Sequence, residues 1–188
     1  MDRPYSKNKI KKFIGWGGEH LVFQYGDTQV IKFSLHVFIA GKSAVDKIIE
    51  DYKIGKKYFN SYILDTEILP YKKGKRCVEI QEKINIRFLE KKDLQTDLIK
   101  QQFNDIMKRH NKMEKEIGVA FDLFGREGLF RIKPKVVGNI LVTPDNKLVL
   151  IDFTVLNLKK LKLREIPIWF LIEWAKRRQK KLLKKFIK

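Results

Sequence analysis

Acidic residues are the first shortage. The chain sets 22 Asp and Glu against 41 Lys and Arg over 188 residues, a formal net charge of +19. Such a surplus excludes indifference to polyanions. Nucleic acid, anionic lipid, acidic protein and nucleotide phosphates are all drawn to it, and charge alone does not choose among them. Cysteine is nearly absent: Cys77 stands alone, which excludes an internal disulfide and suits a reducing compartment. Histidine is scarce too. His20, His36 and His110 are isolated, with no His-x-x-x-His spacing, so neither a zinc site nor a Ser or Cys nucleophile with a His base finds support. No apolar run reaches the roughly 20 residues that span a bilayer. The polar start Met1-Asp2-Arg3-Pro4-Tyr5 leads into a basic stretch, not an apolar signal region. Internal repeats and long low-complexity linkers are missing as well. These absences predict a cytoplasmic protein, either soluble or peripheral on the inner membrane surface.

What is there suits a globular fold. The chain is 44% hydrophobic, with thirteen Phe and three Trp, enough for a core in one domain or two small lobes. Residues 10 to 33 read as a β-meander: Ile10 to Ile14, the loop Gly15-Trp16-Gly17-Gly18, a strand Leu21 to Tyr25, the turn Gly26-Asp27, and a strand Gln29 to Phe33. Ser43 with Asp46 resembles a capping pair for a helix from Ala44 to Phe59. Strands follow at Asp65 to Tyr71 and Arg76 to Ile84, joined by Lys72-Lys73-Gly74-Lys75.

Beyond residue 84 the pattern turns helical. Lys92 to Ile117 predicts a helix with Leu94, Leu98, Phe103, Ile106, Met113 and Ile117 on one face, stopped by Gly118. A loop-rich region runs from Phe121 to Pro134. Ile140-Leu141-Val142 and Leu148 to Ile151 then read as a hairpin of buried strands, and a helix follows Pro167.

Four pieces carry chemistry. The glycines of Gly15-Trp16-Gly17-Gly18 let backbone N–H groups approach phosphates closely. Lys32 sits in the otherwise apolar Val30-Ile31-Lys32-Phe33. Asn139 stands just before one buried strand, and Asp152, in Leu150-Ile151-Asp152-Phe153, ends the next. A hairpin brings those two side chains to one end, and their oxygens suit a hard cation that bridges phosphates.

In this order the pieces resemble the protein-kinase-like superfamily, closest to small bacterial atypical kinases and pseudokinases of the YrbL-like or lipopolysaccharide-kinase-like kind. The resemblance implies an α+β, two-lobed fold. A β-rich lobe would span 1–84, and a shortened, mostly helical lobe 85–188. It implies ATP and Mg²⁺ as ligands, with Gly15, Gly17 and Gly18 over the phosphates and Lys32 on the α- and β-phosphates. Glu50 would orient Lys32, with Asp46 as second choice. Glu82 and Ile84, beside Gln81, would hold adenine through backbone groups, and Asn139 with Asp152 would hold the metal. Three positions depart from the pattern. His20 replaces the third glycine, and Thr154 follows Asp152-Phe153. The catalytic-loop aspartate falls on Pro134 in one register and on Arg131 in the other. The nearest upstream acids are Glu127 and Asp122. Asp122 is the candidate base, with turn-capping as its plainer role. The implied function is a Mg-ATP-binding phosphotransferase of slow or atypical type, or a pseudokinase, with an unidentified phosphoryl acceptor.

The tail supports a different reading. Lys176 to Lys188 mixes eight Lys and Arg with Leu182, Leu183, Phe186 and Ile187. Such a basic amphipathic helix suits RNA or an anionic membrane surface, or simply docks its apolar stripe on the core with solvated lysines.

Overall fold

The computed structural model describes residues 3–16, 20–124, 136–151, 155–156 and 166–187. The protein is α+β and divides into two compact units, residues 1–53 with 64–84 and residues 54–63 with 85–188. Residues 54–63 therefore group with the second unit, where Tyr58 and Phe59 enter the core.

In the first unit, β1 (Ile10–Trp16), β2 (His20–Tyr25) and β3 (Gln29–Ser34) form the expected meander. With β4 (Thr66–Tyr71) and β5 (Arg76–Glu82) they make an antiparallel sheet in the order β1-β2-β3-β5-β4. Gly26, at φ 63°, takes the left-handed backbone that the β2–β3 turn requires. Between β3 and β4 lie α1 (His36–Ala40), which the sequence pattern did not announce, and α2 (Lys42–Phe59). Ser43 is not the cap of α2. It lies inside the first turn, where its Oγ donates to the Ala40 carbonyl at 2.9 Å, and Asp46 pairs instead with Lys42 at 2.8 Å.

Alternation gives this sheet two different faces. One buries Tyr25, Ile31, Val78 and Ile80, with Phe23, Phe33, Tyr5 and Tyr71 packed on them edge to face. The other meets α1 and the first turns of α2 through Val37, Val45 and Cys77, with Ile48, Ile49 and Ile68 beside them. Polar residues are buried on this second face, and the candidate chemistry begins there.

In the second unit, β6 (Arg87–Glu90), β8 (Val136–Val142) and β9 (Leu148–Leu150) form an antiparallel sheet in the order β6-β8-β9, and β7 (Ala120–Phe121) pairs with β10 (Val155–Leu156). β6 was not expected. The long helix α3 (Asp97–Ile117) starts later than predicted, because a 3₁₀ turn at Lys91–Gln95 precedes it. Asp93 organises that turn: it takes both Arg87 Nη atoms at 2.6 and 2.9 Å and accepts the Glu90 N–H at 2.8 Å. Gly118 ends α3 in left-handed backbone, donating to the Glu114 carbonyl at 2.9 Å.

The buried face of α3 is Ile99, Phe103, Ile106, His110 and Met113, spaced by alternating fours and threes. Leu98, expected on that face, is 51% exposed. Its neighbour Ile99 has the helical phase that reaches the core, and His110 fills a place the apolar reading left out.

The C-terminal helix α4 (Ile166–Ile187) docks on this core. Leu182 and Phe186 are buried, and the Phe186 ring lies 6.3 Å from that of Phe103. Lys176 Nζ donates to the Gly118 carbonyl at 3.1 Å. The buried Gln179 accepts the Leu123 N–H at 2.8 Å and donates to the Phe121 carbonyl at 2.9 Å. Phe186→Ala leaves a cavity among Phe103, Phe124 and Leu182 and should cost about 3–5 kcal/mol in urea denaturation. Lys185→Ala, on the outer side, should change stability by less than about 0.5 kcal/mol.

His110 lies 3.2 Å from the same Phe121 carbonyl, through Nε2. Burial holds its pKa below the ordinary value. The unfolded chain therefore takes up a proton before the folded one does, so stability is full above the unfolded pKa and falls as pH drops below it. The urea midpoint should decline as pH falls below about 6.5, and His110→Gln should flatten that part of the decline.

Candidate functional site

Strand register brings the first candidate residues into one row. Gly15 pairs with Val22, Val22 with Lys32, Lys32 with Glu79, and Glu79 with Ile68. Directly opposed residues in antiparallel strands share a face. Lys32 is therefore not an outward lysine on a half-exposed strand. It is 6% exposed, on the face that meets the helices. Lysine is almost never so buried unless its charge is matched by oxygens, because desolvating an ammonium is costly. Gly15 stands at the far end of the row, and a Cβ there would meet no atom of the described residues within 4 Å, so packing among them does not demand glycine.

His20 lies on the same face, paired in register with Ser34. Its Nε2 is 3.1 Å from Glu79 Oε1, across β3, with the two side chains 9% and 12% exposed. The position where the kinase resemblance expects a third glycine thus carries a buried imidazole tied to β5. Sequence reasoning did not join these residues. The available signal was Glu79 and Gln81 alternating with the apolar Val78 and Ile80, which marks a polar row inside a buried strand. Cys77 is on the same face, its thiol pushed up to about 12, first by burial and then by the Glu79 charge.

On α2, Glu50 is exposed, whereas the next residue, Asp51, is 7% exposed and paired with Lys47. Asp46, the second choice, pairs with Lys42.

At the end of β5, Glu82 is exposed and Ile84 half-buried, and the Lys83 N–H between them donates to the Thr28 carbonyl at 2.7 Å. A cleft of about 450 Å³ is lined there by Gln29, Tyr52, Asp65, Thr66, Glu67, Ile80, Gln81 and Glu82. Its polar wall is ordered: the Tyr52 hydroxyl accepts the Thr66 N–H at 2.8 Å, and Gln81 Nε2 donates to Thr66 Oγ1 at 2.6 Å.

In the second unit, Asn139 lies within β8 instead of just before a strand. Its Nδ2 donates to the Asp122 carbonyl at 2.7 Å, and its own N–H donates to the Leu123 carbonyl at 3.1 Å. The amide nitrogen is therefore committed to the protein. The Asn139 carbonyl accepts the Ile151 N–H at 3.2 Å. Asp122 is half-buried beside Asn139, and its Oδ1 accepts the Phe124 N–H at 3.2 Å, a turn-capping bond. Asp152, Gly17 and Gly18 lie outside the described residues, as do Glu127, Arg131, Pro134 and Thr154.

Among the described residues no group of three or more His, Cys, Asp or Glu side chains is arranged to hold a metal ion, and no helix is long and apolar enough to cross a membrane. Comparison with protein-family models and with curated proteins finds no match.

The buried Cys77 thiol supplies a direct check on this face. In the folded protein at about pH 8 it should resist a disulfide-exchange reagent such as Ellman's, and it should react at once in denaturant. Rapid labelling without denaturant would show that this side of the sheet opens readily.

Proposed function

We propose that this chain has a kinase-like, two-lobed fold and binds a nucleoside triphosphate with Mg²⁺, acting as a slow or atypical phosphotransferase or as a nucleotide-binding pseudokinase. The observation that carries the reading is the burial of Lys32 in one row with Gly15 and Val22. A glycine that packing among the described residues does not require and a buried cation on one face suit a polyphosphate better than they suit a plain hairpin.

In this reading the backbone of Gly15, Gly17 and Gly18 meets the phosphates and Lys32 pairs with the α- and β-phosphates. Glu50 on α2 orients Lys32, and backbone groups of Glu82 and Ile84 hold adenine. Asn139 Oδ1 and the Asp152 carboxylate are oxygen donors of the kind Mg²⁺ takes, and the ion would neutralise charge on the transferred phosphate. Asp122 is the candidate base. One of its carboxylate oxygens accepts the Phe124 N–H, which orients the group. Loss of a positioned base typically costs about 10²–10⁴-fold, so Pro134 or Arg131 at the catalytic-loop position reduces turnover without forbidding it.

The test is thermal melting with ATP, with and without Mg²⁺. Wild type should gain about 2.7 kcal/mol of stability at 100 times the dissociation constant. Asp152→Ala should lose the Mg²⁺-dependent part, and Lys32→Ala most of the rest. Folded wild-type protein with no shift would sink the reading. Given a shift, ATP turnover that falls in Asp122→Asn identifies a phosphotransferase, and binding without turnover identifies a pseudokinase.

A further inference from the structure

The C-terminal helix buries Leu182 and Phe186 of its apolar stripe, and Ile187 at its end is exposed. Leu182, Phe186, Lys176 and Gln179 are buried. At about 100° per residue, the opposite side of α4 carries Trp174, Arg177, Lys181, Lys184 and Lys185, all exposed, with Arg178 half-buried beside them. The stripe runs about 16 Å along the helix from Trp174 to Lys185. No acidic residue occurs between Trp174 and Ile187. One aromatic ring stands at its start: Trp174 is 49% exposed, and the Arg178 guanidinium lies 5.2 Å from the indole centroid.

This arrangement narrows the polyanions that the composition leaves open. An amphipathic helix holds a bilayer by burying its apolar face among acyl chains, and here Leu182 and Phe186 are already in the core. What faces outward is a row of cations ending in an indole. Cations in a row suit a phosphate backbone, whose condensed counterions they release. An exposed indole offers a stacking surface for an unpaired base, and the guanidinium over it holds the ring in place. Bases inside a duplex are stacked on one another and cannot reach it.

We propose that the outer face of α4 binds single-stranded nucleic acid, with Arg177, Lys181 and Lys184 on successive phosphates and Trp174 stacked on a base. This surface is separate from the nucleotide-binding reading and stands or falls without it.

The experiment uses the full chain and a fluorescein-labelled uridylate 12-mer, titrated at several salt concentrations. Arg177→Ala/Lys181→Ala/Lys184→Ala should lower the slope of log affinity against log salt by about 2, at about 0.7 per lost phosphate contact. Lys12→Ala/Lys53→Ala/Lys75→Ala removes the same charge from exposed positions of the first unit, and it should leave that slope unchanged. Trp174→Ala should weaken binding at least fivefold, on the order expected for one lost stack, and Trp174→Phe should retain most of the affinity. Equal losses in the two triple variants, or no effect of Trp174→Ala, would overturn the assignment. So would tight binding to phosphatidylserine vesicles with none to the 12-mer, which would make α4 a membrane-surface element.

Discussion

The carboxamide of Gln179 is the point on which the second unit turns. It satisfies the Leu123 N–H and the Phe121 carbonyl from one side. From the other side Asn139 satisfies the Leu123 and Asp122 carbonyls through its N–H and Nδ2. A buried peptide group without a partner costs about 1–3 kcal/mol, so residues 121–123 are held by the two side chains jointly. The consequence reaches Asn139, whose amide is oriented by a segment that the C-terminal helix also bonds. Neither Gln179 nor Asn139 can be replaced by an apolar residue of similar size without orphaning backbone groups at Phe121, Asp122 or Leu123.

The sheet of the first unit poses a related electrostatic problem. Its aromatic face is a conventional apolar surface, but the opposite face encloses His20, Lys32, Ser34, Glu79 and Gln81. The His20–Glu79 pair ties β2 to β5 across β3.

Much of this architecture was legible because the determining signals are local. Alternation at Leu21 to Tyr25 and Gln29 to Phe33 located β2 and β3 to within one residue, and Gly118 marked the stop of α3 by its left-handed backbone. The misses share one cause, which is dependence on distant partners. β6 is a short strand defined by pairing with β8, and nothing in Arg87-Phe88-Leu89-Glu90 alone requires it. The helical phase that buries Ile99 over Leu98 is set by the surface that helix meets. In the candidate site, Lys32 was legible as a cation in an apolar strand and Asn139 as an amide just before one. The burial of Lys32 and the His20–Glu79 pair required the register of β2, β3 and β5. The commitment of Asn139 Nδ2 required knowing where residues 121–123 run.

The docking of α4 also bears on the order in which the chain acquires structure. The sheet of the first unit is built mostly from neighbouring hairpins, apart from the β3–β5 pairing, and its residues end at Ile84. The second unit closes far longer loops. Leu150 donates to the Tyr62 carbonyl at 2.7 Å, and Phe186 packs against Phe103 and Phe124. Contacts of large sequence separation slow folding, because loop entropy is lost before the contacts form. During synthesis the first unit can fold while the second still waits for Gln179, Leu182 and Phe186 to leave the ribosome. Until then Phe59, Phe103 and Phe121 lack their last covering layer, and that interval is when this chain is most exposed to aggregation.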